Sequence, residues 1–117
     1  MSGKVKSAAT FRVVLLDSAE QDLKELKIYV IKNFSLKTWH STFEKIKEAI
    51  RNLQHFPQAG LIPDEIEKLN LTQYRQVLSG MNRVIYEVRQ ETIYVHVVVD
   101  TRRDMNALLT RRLLRIR

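Results

Sequence analysis

Tyr74-Arg75-Gln76-Val77-Leu78-Ser79-Gly80-Met81-Asn82-Arg83-Val84-Ile85-Tyr86-Glu87-Val88 holds two alternating runs around a glycine-containing turn. A period of two sends successive side chains to opposite faces of a sheet. Tyr74 to Leu78 and Arg83 to Val88 are therefore predicted as a hairpin turning over Ser79-Gly80-Met81-Asn82. Arg89-Gln90-Glu91 turns the chain again into Ile93 to Val99, a run rich in the β-branched and aromatic residues that suit a pleated surface. The result is a three-stranded antiparallel meander. Within its last strand, alternation puts His96 on the face opposite Val95 and Val97.

Upstream of the meander the apolar period changes from 2 to about 3.6. Ala19, Leu23, Leu26, Val30 and Phe34 form one stripe, and Trp39, Phe43, Ile46, Ile50 and Leu53 form a second, with Lys45, Lys47 and Glu48 facing outward. Ser18 with Gln21 reads as a capping box for the first helix, and Ser35 as a cap for the second. Two long amphipathic helices joined by so few residues make an antiparallel hairpin. Pro57 ends the second helix, Gly60 permits a left-handed turn, and Pro63-Asp64-Glu65-Ile66 opens one short helical turn. Ahead of the hairpin, Phe11 to Leu16 reads as a strand. Its two apolar faces suit the middle of a sheet, although an edge beside the meander stays open as well. Met105, Leu108, Leu109 and Leu113 mark a closing helix.

The order β, α, α, β, β, β plus a C-terminal helix predicts an α+β fold, with the helix hairpin laid across one face of a small, mostly antiparallel sheet. At 117 residues the chain supports a single domain, expected over 11–117 behind a flexible N-terminal arm over 1–10. It has no Cys, which excludes disulfides, thiolate metal sites and thiol nucleophiles. No apolar run reaches the ~18 residues of a membrane span, and no signal-peptide run follows Lys4 and Lys6. A reducing cytoplasm is the expected location.

The formal charge of +7 is unevenly placed. Residues 69–117 hold nine Arg, no Lys and four acids, for a net +5, whereas residues 17–68 sum to −1. Guanidinium groups fork onto phosphate or carboxylate and keep their charge when partly buried. The crowding of Arg102, Arg103, Arg111, Arg112, Arg115 and Arg117 therefore favours a surface for an acidic partner over a merely solvated face.

For catalysis the sequence offers little. His40, His55 and His96 lack metal-ligand spacing, no glycine loop cradles phosphate, and no serine sits in a nucleophile elbow, so neither metal nor cofactor is expected. Arg75 and Arg83 bracket the Ser79-Gly80 turn and are expected to point toward one surface of the sheet. Arg102 and Arg103 follow the last strand. Such a set could hold a phosphate, but a guanidinium stays protonated and is a poor base. The residues lean toward binding rather than bond cleavage.

With these features assembled, the chain resembles the RelE/ParE superfamily of bacterial toxins from type II toxin-antitoxin systems. The resemblance runs from Phe11 to Leu114. It is carried by Ala19-Glu20-Gln21-Asp22-Leu23, Leu53-Gln54-His55-Phe56-Pro57-Gln58-Ala59-Gly60, Tyr74-Arg75, Asn82-Arg83-Val84-Ile85-Tyr86-Glu87-Val88 and Val99-Asp100-Thr101-Arg102-Arg103-Asp104. It implies a growth-inhibiting toxin neutralised by an antitoxin, from a pair that stabilises a plasmid or chromosomal locus. In RelE-like members, which cut messenger RNA on the ribosome, the pattern has two strand lysines, an arginine after the turn, a late arginine and a C-terminal tyrosine. Here Arg75 and Val77 occupy the lysine positions, Arg83 and Arg102 match the arginines, and Leu108 falls near the tyrosine. The missing base makes ParE-like poisoning of DNA gyrase the closer implication, with ribosome-dependent messenger cleavage through Arg75, Arg83 and Arg102 as the alternative. Target binding is expected at Arg75, Arg83, Arg102, Arg103, Arg111 and Arg112.

Overall fold

Helix initiation in this chain depends on what lies just before each stripe. A computed structural model describes residues 10–113, so most of the expected N-terminal arm, together with Arg115 and Arg117, lies outside the described residues. Strand β1 spans Arg12–Leu15, helix α1 Asp17–Asn33 and helix α2 Leu36–His55. At the start of α2, Ser35 Oγ accepts the Thr38 N–H at 3.0 Å, the expected cap. At α1 the expectation fails. The N-cap is Leu16, with no side-chain cap, and the Ser18 hydroxyl donates instead to the His96 carbonyl at 3.4 Å. Asp17 and Glu20 in the first turn still place negative charge at the positive end of the α1 dipole.

Helix α3 (Asp64–Lys68) follows Pro63, and then come β2 (Tyr74–Ser79), β3 (Asn82–Arg89), β4 (Thr92–Asp100) and α4 (Met105–Leu113). Gly80 has φ of +60° at the first central position of the β2–β3 turn, where a two-residue hairpin takes glycine. The sheet order is β1-β4-β3-β2, with the meander antiparallel and β1 parallel to β4. β1 is thus an edge strand, not a central one. Its Val13 and Leu15 pack on the hairpin core, and its start is held by α2: the Phe11 N–H reaches the Gln54 carbonyl and the Gln54 amide reaches the Phe11 carbonyl, both at 3.0 Å.

Both faces of the sheet are covered. The helix hairpin packs Ala19, Leu26, Trp39, Ile46 and Leu53 against Val84, Tyr86, Ile93, Val95 and Val98. On the opposite face α3 and α4 bring Ile66, Met105, Leu108, Leu109 and Leu113 onto Tyr74, Ile85, Val97 and Val99. Val95 and Val97 therefore belong to different cores. The reason is a β-bulge: Tyr86 pairs with Val95 and Ile85 with Val97, so His96 is the extra residue and alternation breaks there.

The chain after α2 closes on β3. Tyr86 Oη donates to the Pro57 carbonyl at 2.8 Å and accepts the Gly60 N–H at 2.9 Å. Gly60 is required by this close approach and not by a left-handed turn. A Cβ there would lie 2.5 Å from Tyr86 Oη and 2.7 Å from the Gln76 carbonyl oxygen.

Candidate functional site

The six arginines expected to bind a target separate into two groups. Arg75 and Arg83 do not share a surface. Arg75 pairs with Tyr86 and Leu78 pairs with Arg83, and residues three apart on one strand point to opposite faces. Arg75, half-buried on the hairpin side, donates through Nη1 to the Gly60 carbonyl at 2.8 Å and so braces the turn after α2. Arg83 lies on the other face, mostly buried. Its Nη1 contacts Glu65 Oε1 at 3.3 Å and Gln76 Oε1 at 3.2 Å, and its Nε has no partner.

Arg112 is also internal in role. Strand β1 pairs only with Thr92 to Val95, so the second half of β4 has no neighbour on that side. Two side chains take the place of a strand there. Asp22 Oδ2 accepts the Val98 N–H at 3.0 Å, and Arg112 Nη2 donates to the His96 carbonyl at 2.7 Å. Asp22 and Arg112 hold each other through two further bonds of 3.0 Å. This seam satisfies backbone groups that a bare strand edge would leave open. Its sequence signal was an aspartate on the inward side of a helix, and it pointed to no partner ninety residues away.

The outward group consists of Arg102, Arg103 and Arg111, all exposed. Arg102 lies flat on Asp100, with Nε to Oδ1 at 2.8 Å and Nη2 to Oδ2 at 2.7 Å. The hydrogen bonds from Arg102 hold the Asp100 carboxyl below its ordinary value, and Asp100 in turn raises the guanidinium. Arg103 and Arg111 have no ion pair among the described residues. Arg103 and Arg102 line a mainly apolar cleft with Leu26, Tyr29, Val98 and Val99.

His40 and His55 are exposed on α2, whereas three groups on the sheet strands that could move a proton are sealed. His96 is 4% exposed, Tyr74 5% and Tyr86 0%. His96 Nε2 lies 3.1 Å from Glu87 Oε1, its Nδ1 has no partner, and its ring stands edge-on to Tyr74 at 4.9 Å. Burial pushes the imidazole below its ordinary value although Glu87 pulls the other way. Burial also raises both phenols, which removes them as bases near pH 7. Among the described residues no group of three or more His, Asp or Glu side chains is placed to hold a metal ion, and no helix is long and apolar enough to cross a membrane.

Comparison with known proteins gives the fold a family. Residues 13–105 match the family model described as the ParE toxin of the type II toxin-antitoxin system parDE. The chain belongs to the ParE toxin family. This ParE chain is also similar in fold to a solved structure of the chromosomal ParDE toxin-antitoxin system from P. aeruginosa, with a TM-score of 0.66 and 12% identity. The match covers 79% of this chain and 97% of the other. No curated protein matches the sequence. The family assignment agrees with the Phe-Pro-x-x-Gly turn and the Arg83-x-x-Tyr86-x-Val88 strand, whose shared physical basis is the Tyr86 anchor on Pro57 and Gly60.

Proposed function

We propose that this ParE-family toxin arrests growth by binding DNA gyrase through its outward arginines, without making or breaking a covalent bond itself. The observation that carries the reading is the burial of His96, Tyr74 and Tyr86, the sheet residues that could stand in for the missing base, while the exposed His40 and His55 lie on α2 and not on the arginine-bearing strands. General acid–base cleavage of RNA requires a titratable group within hydrogen-bond reach of the 2′-hydroxyl. Arg83, placed by resemblance on the scissile phosphate, is occupied by Glu65 and Gln76 beneath α3. Arg102, Arg103 and Arg111 remain on the surface, and they suit an acidic protein face or the DNA of a topoisomerase complex. The antitoxin of the pair is the second partner, and its binding silences the toxin.

Purified toxin added to gyrase and relaxed plasmid should block supercoiling, with the block weakening as salt rises. The combined Arg103→Ala, Arg111→Ala variant should need about tenfold more protein for the same effect, the loss of roughly one charged contact. Full supercoiling at excess toxin, together with codon-positioned messenger cuts in arrested cells, would replace this reading with ribosome-dependent cleavage.

A further inference from the structure

Neither a helix nor a strand places Arg103. Arg111 rides on α4, which Met105, Leu108, Leu109 and Leu113 pin in the second core, whereas β4 stops at Asp100 and α4 starts at Met105. Arg103 lies in the loop over 101–104 between them. A slack loop there would leave a long exposed side chain with no fixed position, and ordering it at the moment of binding would cost affinity.

The loop is not slack. Asp100 Oδ1 accepts the Arg102 N–H at 2.7 Å, a turn closed by a side chain, and the Asp100 carbonyl accepts the Arg103 N–H at 3.1 Å. The Thr101 N–H reaches the Met81 carbonyl at 2.7 Å and ties the loop to the β2–β3 turn. At the far end Asp104 Oδ1 takes the Ala107 N–H at 3.3 Å, where α4 begins. Arg102 completes the arrangement by forking onto both oxygens of the carboxylate that closes the turn. Two neighbouring arginines therefore differ in what they have left to offer. Arg102 is engaged within the loop with its charge cancelled, and Arg103 has no ion pair among the described residues.

We propose that Asp100 and Arg102 form a positioning pair that holds the loop so that Arg103 meets gyrase, with Arg102 making no contact to the target. The proposal rests on the gyrase reading and narrows the contacting arginines to Arg103 and Arg111. Lysine separates the two roles open to Arg102, because it keeps the charge and loses the fork.

Full-length toxin titrated against gyrase and relaxed plasmid at several salt concentrations gives a half-inhibitory concentration and its salt dependence. Arg102→Lys should raise that concentration about three- to tenfold, as far as Arg102→Ala does, a loss of up to one charged contact. Asp100→Asn keeps an acceptor for the turn but loses the charged fork, and should fall between these variants and wild type. Arg102→Lys should keep the wild-type salt slope, whereas Arg103→Ala, which removes an interface charge, should flatten it. In an Arg103→Ala background Arg102→Lys should cost less than about twofold, because the group it positions is gone. Arg102 is 61% exposed, and reading inhibition well below each variant's melting temperature keeps any loss of stability out of the comparison. Wild-type potency in Arg102→Lys, beside a loss and a flatter slope in Arg102→Ala, makes Arg102 a direct contact and overturns the proposal while the gyrase reading stands. Wild-type potency in both variants does the same. Full supercoiling at excess wild-type toxin overturns the gyrase reading and the positioning role with it.

Discussion

Arg112 and Arg111 are adjacent in sequence and opposite in use. Arg112 turns inward onto Asp22 and the His96 carbonyl, where it closes the unpaired half of β4, while Arg111 stays in solvent. The same contrast separates Arg83, held under α3, from Arg103 at the end of the sheet. Guanidinium groups therefore do two jobs in this protein. Those near unsatisfied backbone or buried carboxylates maintain the fold, and Arg103 and Arg111, which have no ion pair among the described residues, are the ones proposed to meet another molecule. Composition alone counts both kinds together.

The sharpest way to break this contrast is to remove the internal member. Arg112→Ala strands Asp22 and the His96 carbonyl in a mostly buried seam, and it should destabilise the fold by about 3 kcal/mol. Urea unfolding of the variant beside Arg111→Ala provides the measurement; equal midpoints would show that the seam carries no weight.

Next comes the imidazole beside that seam. Its proton affinity is depressed in the fold, chiefly by burial, so below the ordinary value of 6.5 the unfolded chain binds a proton that the folded one resists. Stability should therefore be steady above about pH 6.5 and decline as the pH falls through the folded value. Glu87 opposes the shift, whereas Arg89 and Arg112 reinforce it. In His96→Gln the decline between pH 7.5 and 5.5 should flatten, as read from denaturation midpoints at the two pH values.

The smallest effect belongs to the outward group. Arg103→Ala and Arg111→Ala should each leave stability within about 0.5 kcal/mol of wild type, while gyrase inhibition falls in the combined variant. A large loss of stability in either would move that arginine into the structural class.

Local pattern made much of this architecture legible. The periods of 3.6 and 2 located both long helices and the meander, and Ser35 capped α2 as its position suggested. What failed did so where tertiary contacts override local rules. For β1 the pattern left edge and centre both open, and the strand lies at the edge, because strand pattern is silent about sideways neighbours. One extra residue at His96 moved Val97 into the other core, since alternation carries no memory across a bulge. Gly60 looked like a residue chosen for its torsion angles and is instead chosen for the space it leaves to Tyr86.

The candidate site was less readable for the same reason. Charge placement in the sequence marked the arginine-rich third only as a region. It could not distinguish Arg112 from Arg111, because the distinction depends on Asp22, ninety positions earlier. Nor could the strand register, which sends Arg75 and Arg83 to opposite faces, be read without knowing which residues pair.

That long separation has a consequence for synthesis. Asp22 leaves the ribosome ninety residues before the guanidinium that locks it, and β4 is finished at Asp100, so a chain that stops short of Arg112 leaves the upper rim of β4 partly without cover. A product released early would present that strand to other nascent chains, and only a polypeptide extended through α4 shuts its own sheet against them.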